Sequence, residues 1–161
     1  MLRSILLALS VVAAPALADT VTVDTFDGPV EVETNPDTIA VFDIAALDTL
    51  GALGITADGA VAPLYLPYVE ETAGDATVVG SLFEPDMEAV AALGPDLIIA
   101  GGRSQKAVPQ LARMAPTLDM TIWDDAVGEG LARLDAYGKI FGKEAEATAL
   151  RADFETKLEA A

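Results

Sequence analysis

One stretch narrows the fold more than any other. Leu97, Ile98, Ile99 and Ala100 form an unbroken apolar run between Asp96 and the pair Gly101-Gly102. The run does not alternate, so both of its sides must be covered, as in a parallel strand buried within a sheet. A short helix is predicted just before it. Pro85 suits a first helical position, where its missing N–H costs nothing. Asp86 and Glu88 then fall in the first turn and complement the helix dipole. Met87, Val90 and Ala91 define one apolar face, and Gly94-Pro95 stops the helix. Beyond the strand the chain turns at Gly101-Gly102 and presents Arg103, Ser104, Gln105 and Lys106. Pro109 opens a further helix reaching about Met114, which leaves 103–106 as a polar loop. Open α/β sheets bind ligands at the carboxyl ends of their strands. That loop is therefore where a site is expected.

The rest of the chain repeats the same alternation of elements. Residues 20–23 and 30–33 alternate apolar and polar around Asp27-Gly28-Pro29, which predicts a β-hairpin. Residues 39–42 read as a second buried strand. Ile44, Leu47, Leu50 and Leu53 then mark an amphipathic helix, with Asp43 as its cap and Gly54 as its stop. Residues 59–62 and 77–79 read as short strands. Between them, 63–74 is a loop or short helix whose Tyr65 and Tyr68 are expected to pack that loop down, or else to stack on an aromatic ligand. Residues 120–123 read as the next strand, which places Trp123 in the core or on a pocket wall, with the core favoured. A helix follows over 130–141, carrying Leu131, Leu134, Tyr137, Ile140 and Phe141, and Gly142 breaks it. Residues 143–161 form a long charged helix with a Leu150, Phe154, Leu158 stripe and no stop signal, expected to pack against something beyond it.

Residues 1–18 have the pattern of a leader: Arg3, an apolar stretch over 5–14, and Ala16-Leu17-Ala18 as a cleavage site. Export is expected, with cleavage after Ala18. The 161-residue chain contains no cysteine, so neither a disulfide framework nor a lipidated cysteine at the cleavage point is expected. The formal net charge is −17, which argues against nucleic acid as a partner. From Ser4 to Gly102 there is no Lys or Arg, so Arg103 and Lys106 are the first cations after the leader. Both fall in the loop behind the buried strand, where a cation could greet an anion.

Catalytic chemistry has little to stand on. There is no histidine, which removes the commonest general base and metal ligand. No phosphate-cradling glycine motif and no nucleophile elbow occur. The acidic pairs Glu70-Glu71 and Asp124-Asp125 read as solvated faces.

Several short motifs, in order, resemble the N-terminal lobe of periplasmic siderophore-binding proteins of iron-uptake ABC transporters, most closely the catecholate and petrobactin subgroup. They are Val41-Phe42-Asp43 with Ala46-Leu47-Asp48-Thr49-Leu50, then Val79-Gly80-Ser81-Leu82 with Glu84-Pro85-Asp86, then Pro95-Asp96-Leu97-Ile98-Ile99, Gly102-Arg103-Ser104, Ala115-Pro116-Thr117 and Ile140-Phe141-Gly142-Lys143. The resemblance implies two α/β lobes joined by a long helix, with ligand held between them. It places the family's pocket arginine on Arg103, with Ser104, Gln105 and Lys106 as secondary donors. Ser81, Leu82, Phe83, Tyr65 and Trp123 would line the same mouth, and Glu88 would dock to the permease. Iron would stay wrapped in the siderophore, so neither a protein metal site nor a cofactor is implied.

The expectation is thus an α/β, three-layer, Rossmann-like lobe over 19–142, with a mainly parallel sheet, an N-terminal β-hairpin and the start of an inter-lobe helix over 143–161. It would be a soluble periplasmic monomer that captures a ferric siderophore and delivers it to an ABC importer, without a chemical step. A haem or corrinoid binder of the same fold is the first alternative. An exported hydrolase-like enzyme fragment is the second.

Overall fold

The computed structural model describes residues 19–161. The leader expected over 1–18 lies outside the described residues.

The hairpin forms from β1 (Thr20–Thr25) and β2 (Gly28–Glu33), antiparallel, with Thr25 opposite Gly28. Its tip is Phe26-Asp27, one residue earlier than the expected Asp27-Gly28-Pro29 turn. Gly28 and Pro29 instead complete the ladder, Gly28 adopting the left-handed φ of 113° that only glycine takes cheaply. Val23 and Val32 bury the hairpin's inner face, and the Phe26 N–H is tied to the Asp119 carbonyl at 2.8 Å.

The second sheet is parallel throughout. Its strands are β3 (Ile39–Val41), β4 (Gly59–Ala60), β5 (Thr77–Val78), β6 (Leu97–Ala100) and β7 (Thr117–Asp119), in the spatial order β5-β4-β3-β6-β7. All four β6 residues are buried, as the unbroken apolar run requires. Leu97 and Ile99 face one core, together with Ile39, Val41, Leu47, Leu50, Leu118 and Tyr137. Ile98 and Ala100 face the other, with Ala40, Phe42, Val90 and Leu111. Each such aliphatic side chain removed from water contributes about 1.5–3 kcal/mol. Strand starts are held by carboxylates: Asp58 accepts from the Ile39 N–H at 2.8 Å and Asp96 from the Thr38 N–H at 2.9 Å.

Helices cover both faces and make three layers. On the first face lie α1 (Ile44–Ala52), capped by Asp43 as expected, α2 (Pro67–Ala73) and α5 (Ala126–Ile140). On the second lie α3 (Met87–Leu93) and α4 (Val108–Leu111). The last helix, α6 (Glu144–Glu159), packs along α5 after Gly142 turns the chain at φ 62°. Arg151 ties it to Asp135 and to the Leu131 carbonyl. None of the described helices is long and apolar enough to cross a membrane.

Several boundaries differ from expectation, each for a local reason. Pro85 lies outside α3, bridged to Gly80, while Asp86 is the cap, its carboxylate accepting from the Glu88 and Ala89 N–H groups at 3.0 Å. The buried face of α3 is Val90 with Met87 and Leu93, and Ala91 is exposed. Residues 103–106 are no open loop but part of a 3₁₀ segment, Gly102–Ala107, which leads directly into α4. That helix ends at Leu111, short of Met114. β7 comes three residues before the expected 120–123 strand, because Leu118 and not Ile122 meets Ile99 across the ladder. α5 starts at Ala126, four residues before Gly130, because the Asp125 carboxylate caps the Gly128 N–H at 2.9 Å. Asp125 is thus more than a solvated charge.

Gly80 admits no side chain. Its φ is +117°, and a Cβ there would stand 2.5 Å from the Asp86 nitrogen and 2.6 Å from the Glu84 oxygen. Gly80→Ala is expected to lower stability in urea titrations by about 2 kcal/mol or more, since backbone and not a pliable side chain blocks it.

Candidate functional site

The strand order reverses between β3 and β6. From β3 the chain builds outward through β4 and β5, then crosses back to place β6 and β7 on the other side. The crevice at such a switch point lies at the carboxyl ends of the two central strands. Asp43 leaves one of them and Gly101-Gly102-Arg103 leaves the other.

The Arg103 turn is clamped from both sides. Ser104 is 1% exposed. Its hydroxyl lies 3.0 Å from both the Gly101 N–H, from which it accepts, and the Gly101 carbonyl. The Gly102 N–H donates to the Thr121 hydroxyl at 2.9 Å, and that hydroxyl donates to Asp119 at 2.5 Å. Gly101 itself passes so close to β7 that a Cβ would meet Met120 and Thr121 backbone at 2.9 Å. The consequence is a rigid turn that holds Arg103 out, exposed. Among the described residues the ion pairs involve Lys143, Arg151 and Lys157, on or beside α5 and α6, and neither Arg103 nor Lys106 joins them.

In chain order, Asp43 follows β3 and Arg103 follows β6, the two central strands, while Tyr65, Phe83 and Trp123 lie in the segments after β4, β5 and β7. The aromatic side chains are strongly exposed: Phe83 70%, Tyr65 78%, Trp123 76%. Trp123 is therefore not core, because β7 ends at Asp119 and the chain has left the sheet before reaching it. Tyr65 and Tyr68 do not pack their loop down; Leu64 does, turning into the core while both tyrosines face outward.

The remaining candidates divide by role. The Ser81 hydroxyl accepts from the Phe83 and Glu84 N–H groups at 3.3 and 3.1 Å and shapes the turn that exposes Phe83. Leu82 packs inward on the second core. Gln105 is half-buried and Lys106 exposed within the 3₁₀ segment. Glu88 is exposed in the first turn of α3. Buried Ser104 is a brace and offers no free hydroxyl to a ligand.

Two groups were missed in the sequence. Asp43 reads there only as a cap, yet it stands on the rim. Burial raises its carboxyl above the usual aspartate range, against the pull of the Ala45 and Ala46 N–H groups, with Asp119 raising and Arg103 lowering it. Glu129 braces the Trp123 loop, accepting from the Trp123 N–H at 2.7 Å and from Asp124 and Asp125 at 3.3 Å. Those donors, Trp123 first, hold its carboxyl below the usual glutamate range. The only signal for it in the sequence is its place four residues after Asp125, the residue that caps α5. Among the described residues no group of three or more His, Cys, Asp or Glu side chains is placed to hold a metal ion.

Comparison with known proteins settles the family. Residues 39–161 match the profile described as periplasmic binding protein. The chain belongs to that family. The petrobactin-binding protein YclQ of Bacillus subtilis is 40% identical over 121 residues, covering 71% of this chain and 37% of its own length. Its crystal structure superposes with a TM-score of 0.79, at 30% identity, over 88% of this chain and 52% of that one. The Fe(3+) dicitrate-binding periplasmic protein FecB of Escherichia coli is 32% identical over 130 residues, 78% of this chain and 43% of that protein. The periplasmic catecholate-siderophore binding protein VctP of Vibrio cholerae gives a TM-score of 0.77 at 26% identity, over 88% and 52%. The chain thus spans about half the length, or less, of the periplasmic binding proteins it matches. These relatives are binding proteins by name, which agrees with the absence of histidine and of a nucleophile motif in the sequence.

Removing the Ser104 hydroxyl leaves the buried Gly101 N–H without its acceptor. Ser104→Ala is expected to cost about 1–3 kcal/mol in urea unfolding. Glu129 yields a prediction in pH. Because its carboxyl is depressed, the brace on Trp123 is complete above the ordinary glutamate range and is lost only as pH falls below it. Trp123 is the sole tryptophan. Its fluorescence anisotropy should hold down to that lower pH and then drop, whereas Glu129→Ala should start low and show no acid step.

Proposed function

We propose that this chain is the ligand-capturing lobe of a periplasmic solute-binding protein, which takes a ferric siderophore of catecholate type and passes it to an ABC importer. The observation that carries this reading is Arg103 itself, an exposed guanidinium after the central strand and outside any ion pair among the described residues; the exposed Trp123, Tyr65 and Phe83, in segments that follow other strands of the same sheet, support it. Ferric catecholates are anionic and aromatic. A guanidinium can pair with their oxygens and lie against their rings, while Trp123, Tyr65 and Phe83 stack on further rings. Ferric citrate, the ligand in FecB's name, offers charge but no ring, so the aromatic rim favours the catecholate. By their names, VctP binds a catecholate siderophore and YclQ binds petrobactin.

In this reading Arg103 is the principal contact, with Lys106 and Gln105 beside it and Ser81, Leu82 and Ser104 supporting the mouth. The lobe supplies one wall of a two-walled cleft, and α6 begins the helix that leads to the other. Glu88, exposed in α3, docks to the basic surface of a permease. The protein works as an exported monomer, its leader cleaved after Ala18. It holds no cofactor and catalyses no reaction.

The test is quenching of Trp123 fluorescence by a ferric catecholate, run beside ferric citrate and haem. Wild type should prefer the catecholate. Arg103→Ala should weaken it about five- to tenfold, equivalent to roughly 1–1.4 kcal/mol, and Arg103→Lys should lose less. Equal affinity in wild type and Arg103→Ala removes Arg103 from the site, and a preference for haem replaces the ligand.

A further inference from the structure

Behind the rim, where β3 hands over to α1, lies a cavity of ≈ 20 Å³. Ala46, Met120 and Ile122 give it apolar walls, and Asp43, Arg133 and Tyr137 give it polar ones. It shares Asp43 with the rim and includes no residue of the Arg103 turn.

Arg133 is the unusual member. It comes from the middle of α5 and is only 8% exposed. Its Nη1 donates to the Asp24 carbonyl at 2.7 Å and its Nη2 to the Thr121 carbonyl at 3.1 Å. One guanidinium therefore stitches the hairpin, the exit of β7 and α5 together. Its Nε is buried and has no hydrogen-bond partner. A buried donor left without a partner costs about 1–3 kcal/mol, more when it is charged. Native structures rarely leave such a group empty-handed without an ordered water or ion to receive it.

The other two polar groups offer what that donor lacks. Asp43 gives one oxygen to the Ala45 N–H at 3.2 Å. A carboxylate has about four acceptor positions, so capacity remains. Tyr137 is fully buried, and burial, with Asp43 adding and Arg133 opposing, pushes its phenol far above the usual tyrosine range. Facing Asp43 from the neighbouring elements are Asp119 at the end of β7, Arg103 in the 3₁₀ turn, and Arg133 and Tyr137 on α5.

We propose that this cavity is a binding site for one water molecule, which accepts from the Arg133 Nε–H, donates to the Asp43 carboxylate and takes the Tyr137 hydroxyl as its third partner. The size fits. A water needs a cavity of about 10–15 Å³ by this measure and two to four polar partners, so there is room for one and not for two. The charges select against ions. A bound cation would meet the guanidinium and a bound anion the carboxylate, each within a few ångströms in a medium less polar than water. Water alone can take a proton donor from one side and supply one to the other. Through it α5 is joined to the β3–α1 corner, and the Asp43 carboxylate is held on the α5 side of the rim. The site is independent of which ligand, if any, the rim receives.

A crystal structure of residues 19–161, at a resolution that shows ordered solvent, is the direct test. The expected result is one water peak in hydrogen-bond contact with Arg133 Nε and an Asp43 oxygen, roughly 2.7–3.2 Å from each. An empty cavity, an ion in the water's place, or Arg133 Nε turned to a protein acceptor overturns the proposal. In solution, oxygen-17 relaxation dispersion should detect a long-lived internal water in the wild type. Tyr137→Phe, which removes one partner and little volume, should shorten its residence time at least severalfold. Asp43→Asn, which keeps both the helix cap and an acceptor oxygen, should retain it. Identical dispersion in wild type and Tyr137→Phe overturns the proposal.

Discussion

The fold depends on the seating of β6 between β3 and β7. Leu97 and Ile99 pack into one core and Ile98 and Ala100 into the other. A strand buried on both faces has little freedom to slide, because a slip by one residue would exchange its two faces. With Ile99 paired to Val41 on one side and Leu118 on the other, the three strand ends stand level. Everything on the rim inherits its position from that alignment. Gly101 follows because only glycine lets β6 pass this close to β7. Arg103 follows because Ser104 and Thr121 clamp the two residues before it.

Charge is organised around the same rim. The chain is strongly acidic, and most of its carboxylates serve as caps or surface charge. Asp43, Asp86 and Asp125 begin helices, while Asp58 and Asp96 hold strand starts. Three cations of α5 and α6 are committed to structure: Arg133 to backbone carbonyls, Arg151 to Asp135 and the Leu131 carbonyl, Lys157 to Asp153. Arg103 is held out by a turn whose polar groups are already satisfied. A side chain placed that way meets solvent with its full charge, and an anion arriving there need not displace an internal partner.

Much of the fold was legible because the signals were strong and local. The apolar run 97–100, the i, i+3 spacing of Ile44, Leu47, Leu50 and Leu53, and the Asp43 cap all act over one or two turns of chain. The misplacements fall where local signals compete. Residues 120–123 look as strand-like as 117–119, and pairing with β6 decides between them. Pro85 can open a helix, yet Asp86 caps this one and Pro85 bridges to Gly80. Gly128 and Gly130 weaken a helix by composition, but the Asp125 cap starts it before them. The core is favoured for Trp123 in the sequence for the same reason that β7 is misplaced there: all four residues of the expected 120–123 strand lie beyond β7, which ends at Asp119.

From residue order alone came the class of fold, the central strand, the glycine exit from it and the cation that follows. Those features rest on contacts between neighbours along the chain. Only the folded arrangement decided that the strand order reverses beside Asp43, that Ser104 is a brace, that Glu129 holds the tryptophan loop, and that Arg133 and Tyr137 close a polar cavity behind the rim. The partners in the cavity lie ninety residues or more apart, Asp43 on one side and Arg133 and Tyr137 on the other, and no periodicity links residues at that separation. They meet because sheet register and helix packing carry them to one place.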